Sequence, residues 1–250
     1  MAARVTTPYR FQFGAIYVAL AVVLAAAVAA TVVLVARDAP AGSTAWSAWQ
    51  PVGSADAKVE QIRGFVSDEY RLPNGDAFAV VRAGPPTEQG VPIASYAVQR
   101  TTAVKREYDT ISAKNSVVYT FAMCGLTVDC AHLTSHDAVE YSRTLRREAL
   151  ELALFTLKYV GDLSSVVVEL PALSANGAAP AILFQRSDVA AELDRPLRET
   201  LRPHDVYLPG LESAAEGATV DRLTVTHLYQ HATTQDASGA PVLVLTPVQP

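Results

Sequence analysis

The sequence predicts an α+β fold: a single N-terminal transmembrane helix followed by one mixed α/β domain outside the cytoplasm. Three observations lead there. An uncharged run rich in Ala, Val and Leu fills Phe13–Ala36. Beyond it, helical and strand-like periodicities are interspersed without the regular βαβ rhythm of a doubly wound sheet. The two cysteines, Cys124 and Cys130, both lie in this second part and are spaced to close on each other. The expected organisation is a short cytoplasmic tail over 1–12, a transmembrane helix over 13–36, a linker over 37–45 and an extracytoplasmic domain over 46–250.

As a helix, the 24 residues of the apolar run would be about 36 Å long, enough to cross a hydrocarbon layer of about 30 Å with some tilt. A lone segment in lipid must satisfy its backbone internally, which leaves a helix as its form. A cleavable signal peptide is the competing reading, since Val28, Ala29 and Ala30 imitate a cleavage site. Its apolar core would be shorter, however, and here apolar residues continue for six more positions, so a retained anchor is expected. Arg4 and Arg10 on the N-terminal flank, with no acid beside them, place that flank in the cytoplasm by the positive-inside rule. On the far flank Asp38 cancels Arg37 locally.

Cys124 and Cys130 agree with that orientation. In an oxidising compartment they read as a disulfide around Gly125-Leu126-Thr127-Val128-Asp129, stabilising the fold by roughly 2–2.5 kcal/mol. Charge supplies an exclusion. The net charge is −5, and the first 36 residues hold only Arg4 and Arg10, so the remainder is more acidic still. Without a clustered positive surface, no nucleic acid partner is expected, nor headgroup recognition by charge. Arginine outnumbers lysine 16 to 4 in an alanine-rich chain, which resembles a high-GC bacterial protein.

Within the domain, Val59, Ile62, Phe65, Val66 and Tyr70 recur at helical spacing, ending before the turn Leu72-Pro73-Asn74-Gly75. Strands are expected over 77–82, 92–101 and 117–123, with a helical turn suggested between the last two by Val104, Tyr108 and Ile111. The longest helix is expected over 137–159, with Thr134 or Ser135 as cap and an apolar second half buried against a sheet. A strand over 165–170 and another over 181–185 follow. A short helix from Asp188 cannot pass Pro196 unbroken, and a hairpin of 223–231 against 242–246 closes the chain.

Chemical motifs are sparse. Cys124, Cys130, His132 and His136 could together hold zinc, but their spacing matches no zinc pattern, and a disulfide ahead of a helix start is the better reading. His227 and His231 alternate with their neighbours as a strand would and read as surface or edge histidines. No nucleophile elbow, P-loop or dinucleotide fingerprint occurs, so no cofactor and no catalytic or metal-binding residue is expected. A dyad of Ser112 and Lys114 has no supporting chemistry, and the carboxylates Asp68, Glu69, Asp188 and Glu192 read as solvated helix faces. Two features point to partners. Ala21, Ala25 and Ala29 form a small-residue series that would let a second transmembrane helix approach. Trp46 and Trp49 would rest on headgroups or a neighbour, or else cap the domain's own core. The expected role is an accessory or scaffolding subunit of a bacterial envelope complex, in contact with the bilayer and with membrane-protein partners. The alternatives are a domain binding a small ligand or cell-wall component and, behind it, a hydrolase with dispersed residues.

Overall fold

The computed structural model describes residues 45–72, 74–100, 107–122, 135–172 and 179–248. The chain divides into two units, Met1–Ala45 and Trp46–Pro250. The described residues belong, apart from Ala45, to the second, which is a mixed α+β domain built on one large sheet. Among the described residues no helix is long and apolar enough to cross a membrane. The expected transmembrane run, with Ala21, Ala25 and Ala29, lies outside them, as do Cys124 and Cys130.

Helix α1 spans Ala55–Glu69. Ser54 caps it, its hydroxyl accepting from the Ala57 amide at 3.4 Å, and Asp56 meets the positive end of the helix dipole. The helix buries Ile62 and Val66, as the spacing requires, and stops where Tyr70 turns extended. Gly75 supplies the positive φ of +88° that the following turn needs. Strands β1 (Val80–Gly84), β2 (Thr87–Glu88), β3 (Val91–Pro92), β4 (Ser95–Gln99), β5 (Tyr108–Ser112) and β6 (Ser116–Ala122) come next. Helix α2 (Ser135–Tyr159) then crosses to β7 (Ser165–Glu169), which β8 (Pro180–Gln185) follows. After these come a single turn of helix, α3 (Ala190–Leu193), the helix α4 (Ala214–Thr224), and the hairpin β9 (Leu228–Gln235) with β10 (Pro241–Pro247).

Eight strands form one sheet in the order β1-β6-β7-β8-β9-β10-β4-β5, and β2 with β3 forms a separate pair. Only β6 with β7 and β10 with β4 are parallel. Alternation of side chains sorts the central strands. Val117, Tyr119, Phe121, Val166, Val168, Ile182 and Phe184 face the helices, while Val167, Ala181 and Leu183 face the other way. Against the first face lies α2, whose Leu145, Leu150, Leu152, Leu154, Phe155 and Leu157 are all at most 2% exposed. Arg186 completes the C-terminal end of α2 by donating to the carbonyls of Leu157, Val160 and Leu163.

The opposite face is concave. The short link 113–115 joins β5, at one edge of the sheet, to β6, the second strand from the other edge. The sheet therefore curls back on itself, and the Tyr96 and Ser116 hydroxyls meet at 2.6 Å across the interior. Ile93, Tyr96, Val167, Leu183, Tyr229, Leu243 and Leu245 fill this second core.

Two expectations are corrected and one open alternative is decided. The segment around Tyr108 and Ile111 is strand β5 rather than a helical turn, because pairing with β4 from Ser95↔Ser112 to Gln99↔Tyr108 outweighs the local spacing; Val104 lies outside the described residues. The closing hairpin begins at Leu228, and Leu223 belongs instead to α4, a helix the apolar pattern did not announce. Its signal was Ser213-Ala214-Ala215-Glu216, half of a capping box: the Ser213 hydroxyl accepts from the Glu216 amide at 3.3 Å. Of the readings open for Trp46 and Trp49, the structure shows the second: they cap the domain's own core. Trp46 is 8% exposed and packs edge-on against Phe155, and Trp49 stacks on Phe65 with ring centroids 4.1 Å apart.

Candidate functional site

The mouth of the curled sheet holds a cavity of about 330 Å³. Its walls come from four separate stretches of chain. The end of β4 gives Val98 and Arg100, β5 gives Asp109 and Ile111, and β8 gives Leu183 and Gln185. Asp188 lies just beyond β8; His227 sits in a 3₁₀ turn, and Tyr229 follows on β9. Strand alternation explains the set: Ala181, Leu183 and Gln185 occupy one side of β8, so the polar Gln185 ends a row whose first two members are core.

Charge in the cavity is matched pairwise. Arg100 donates to both oxygens of Asp109, with Nε at 2.9 and 3.0 Å, and its Nη1 lies 3.5 Å from Glu107. Asp188 is fixed by the Gln185 backbone N–H at 3.0 Å and the Ser187 hydroxyl at 3.2 Å. It faces His227 Nδ1 at 3.7 Å, which leaves Nε2 on the far side of the ring. Burial first, and then the Asp188 charge, raise the Tyr229 hydroxyl above its ordinary range, so it is a neutral donor. Among the described residues, the Gln185 amide side chain, the Tyr229 hydroxyl and His227 Nε2 make no hydrogen bond.

A second concentration of charge lies inside the domain. Arg147 of α2 is 1% exposed. It donates to Glu216 Oε1 through Nε at 3.0 Å, to the Arg202 carbonyl at 2.7 Å, to Glu151 at 3.1 Å and to the Tyr70 hydroxyl, and it lies 4.2 Å from the Tyr207 ring centroid. Tyr70 in turn donates to Glu151 at 2.7 Å and Tyr207 to Glu212 at 2.5 Å. Burial pulls the Arg147 guanidinium towards neutrality, but Tyr70, Glu151 and Glu216 together hold it above its usual range. Beside it, burial and the charge of Glu151, opposed by Arg147, push Glu69 up to about 8. Burial first, with the charge of Glu151 added and Ser67 opposing, raises the Glu148 carboxyl well above its ordinary range. Every polar atom Arg147 commits goes to another part of the same fold. The cluster ties α1, α2, α4 and the segment 202–207 together and is a structural centre.

Other residues weighed in the sequence fall as follows. The Ser112 hydroxyl accepts from the Lys114 amide at 3.3 Å in a local turn, which gives no dyad. Glu192 is not on a solvated face: it is 4% exposed and accepts from Arg195 and Arg222, each at 3.2 Å. Glu69 is half-buried, and Asp68 alone of that pair is exposed. His231 lies on β9 and His227 in the cavity wall, a role that strand alternation did not suggest. Among the described residues no cluster of His, Cys, Asp and Glu is placed to hold a metal ion. No family model matches the chain, and no curated protein or solved structure does so either.

Proposed function

We propose that the chain is a membrane-anchored, extracytoplasmic accessory or scaffolding subunit of a bacterial cell-envelope complex. One observation supports this reading above others: the folded domain begins at Trp46. The Trp46 indole donates to the Glu192 carbonyl at 3.0 Å and its own carbonyl accepts from Leu197 at 2.7 Å, so the first residue after the linker is already locked in place. The nine residues of 37–45 reach about 30 Å when fully extended. On the anchored reading, so short a tether limits how far from the bilayer the domain can act. On the transmembrane-helix reading, the small-residue series Ala21, Ala25 and Ala29 would give a membrane-protein partner a place to bind. Purification of the tagged protein from its native membrane in a mild detergent, with mass spectrometry of what accompanies it, tests the reading. Stoichiometric membrane proteins are expected; a clean monomer or homodimer overturns it.

A second reading, a domain that binds a small ligand, is favoured by the cavity at the sheet mouth. Its size is at the lower end of the range for ligand sites, and it combines an apolar floor with a few convergent polar groups.

A further inference from the structure

We propose that the cavity at the mouth of the curled sheet takes a small, uncharged, hydroxyl-rich molecule of the saccharide class. The proposal rests on the ligand-binding reading of this cavity and names its ligand.

Three ligand classes can be weighed against the wall. An anion needs an uncommitted cation, but Arg100 is spent on Asp109 and Glu107, and His227 faces Asp188. A cation needs an uncommitted carboxylate, and Asp109 and Asp188 are held by those same partners together with the Gln185 backbone N–H. A wholly apolar guest would cover the Gln185 side-chain amide, the Tyr229 hydroxyl and His227 Nε2 without offering them a partner, which burial penalises. What remains is a neutral guest carrying several donors and acceptors.

The free groups fit hydroxyls. A glutamine amide offers a donor and an acceptor side by side, the span of two adjacent hydroxyls on a ring, while the tyrosine and the imidazole each add one more position. Val98, Ile111 and Leu183 form an apolar floor for the C–H face of such a ring. The volume of about 330 Å³ accommodates a molecule of about one or two sugar rings. The wall is prepared as well: Asp188 is fixed by two hydrogen bonds and faces Nδ1 of His227 at 3.7 Å, so the imidazole's other nitrogen is turned away from it.

The test uses the full chain in lipid nanodiscs free of glycolipid, because a sugar-headed detergent would compete. Saturation-transfer NMR is recorded with glucose, N-acetylglucosamine and the linked dimer of N-acetylglucosamine, and with glucosamine and glucuronate as charged counterparts. The neutral probes should bind; Tyr229→Phe should weaken them about tenfold, the loss of one good hydrogen bond, and Gln185→Ala, which removes a donor and an acceptor, by at least as much. The thermal midpoints of both variants should match the parent, since neither side chain is bonded within the described fold. If only a charged probe binds, with the same sensitivity to both substitutions, the proposal of an uncharged guest is wrong and the cavity remains a ligand site. If no probe binds, or binding ignores both substitutions, the ligand-binding reading falls with it.

Discussion

The hydroxyls of Tyr96 and Ser116 lie 2.6 Å apart, although their strands β4 and β6 stand five places apart in the sheet. The contact marks where the sheet closes on itself. Ser116 also donates to the Ala113 carbonyl at 2.6 Å, so the link from β5 to β6 is held at the same point. Both side chains are buried, Tyr96 completely, and burial pushes the Tyr96 hydroxyl up to about 12. Tyr96→Phe keeps the ring and removes the bond. It should cost about 1 kcal/mol, seen as a melting point lower by about 2–4 °C. An unchanged melting point would mean that the ring packing alone closes the curl.

Arg147 carries a heavier load. Replacing it by leucine leaves Glu216 and Glu151, each at most 5% exposed, without their cation. The expected cost in chemical denaturation is about 3–5 kcal/mol. Arg147→Lys should recover little of it, because one ammonium cannot serve Glu216, Glu151, Tyr70 and the Arg202 carbonyl from a single point. If the lysine variant is as stable as the parent, the forked geometry is not what holds the segment 202–207 down.

How much of this was readable in the sequence differs from element to element. Helix α1 was legible because Val59, Ile62, Val66 and Tyr70 carry its period in the chain itself, and α2 because its second half is apolar nearly all round. Strand β5 was not, since Tyr108 and Ile111 are three residues apart and only pairing with β4 decides between helix and strand. Helix α4 was missed for a related reason. Its buried face includes Glu216, Gly217 and Thr224, and Glu216 is acceptable there only because Arg147, 69 residues earlier in the chain, donates to it. The cavity suffers most from this non-locality. Its lining is assembled from four stretches of chain, and Asp188 looks like a solvated helix residue until β8 and the turn at His227 bring their faces together.

The protonation of Glu69 gives a dependence on pH. Its native value is raised from 4.5 to about 8, so between those limits the folded chain holds a proton that the unfolded chain has released. Stability from this group is therefore full below about 4.5 and is lost as pH rises through 8. Glu69→Gln mimics the protonated form. The variant should match the parent in urea at pH 5 and exceed it at pH 9, with the curves separating across that window. Parallel curves over the whole range would show that Glu69 titrates normally in the folded state.

The cysteines give a test that joins redox state to topology. Cys124 and Cys130 enclose five residues, a loop short enough for their sulfurs to meet, and the retained-anchor reading puts them in an oxidising compartment. Alkylation of freshly isolated cells under denaturing, non-reducing conditions should leave both thiols unlabelled, and labelling should appear only after reduction. The Cys124→Ser and Cys130→Ser double variant should then lose roughly 2–2.5 kcal/mol, the entropy that a loop of this size removes from the unfolded chain. Free thiols in the first labelling would remove the disulfide. They would also leave the orientation of the chain resting on Arg4 and Arg10 alone, since an unpaired Cys124 and Cys130 are what a cytosolic domain would carry.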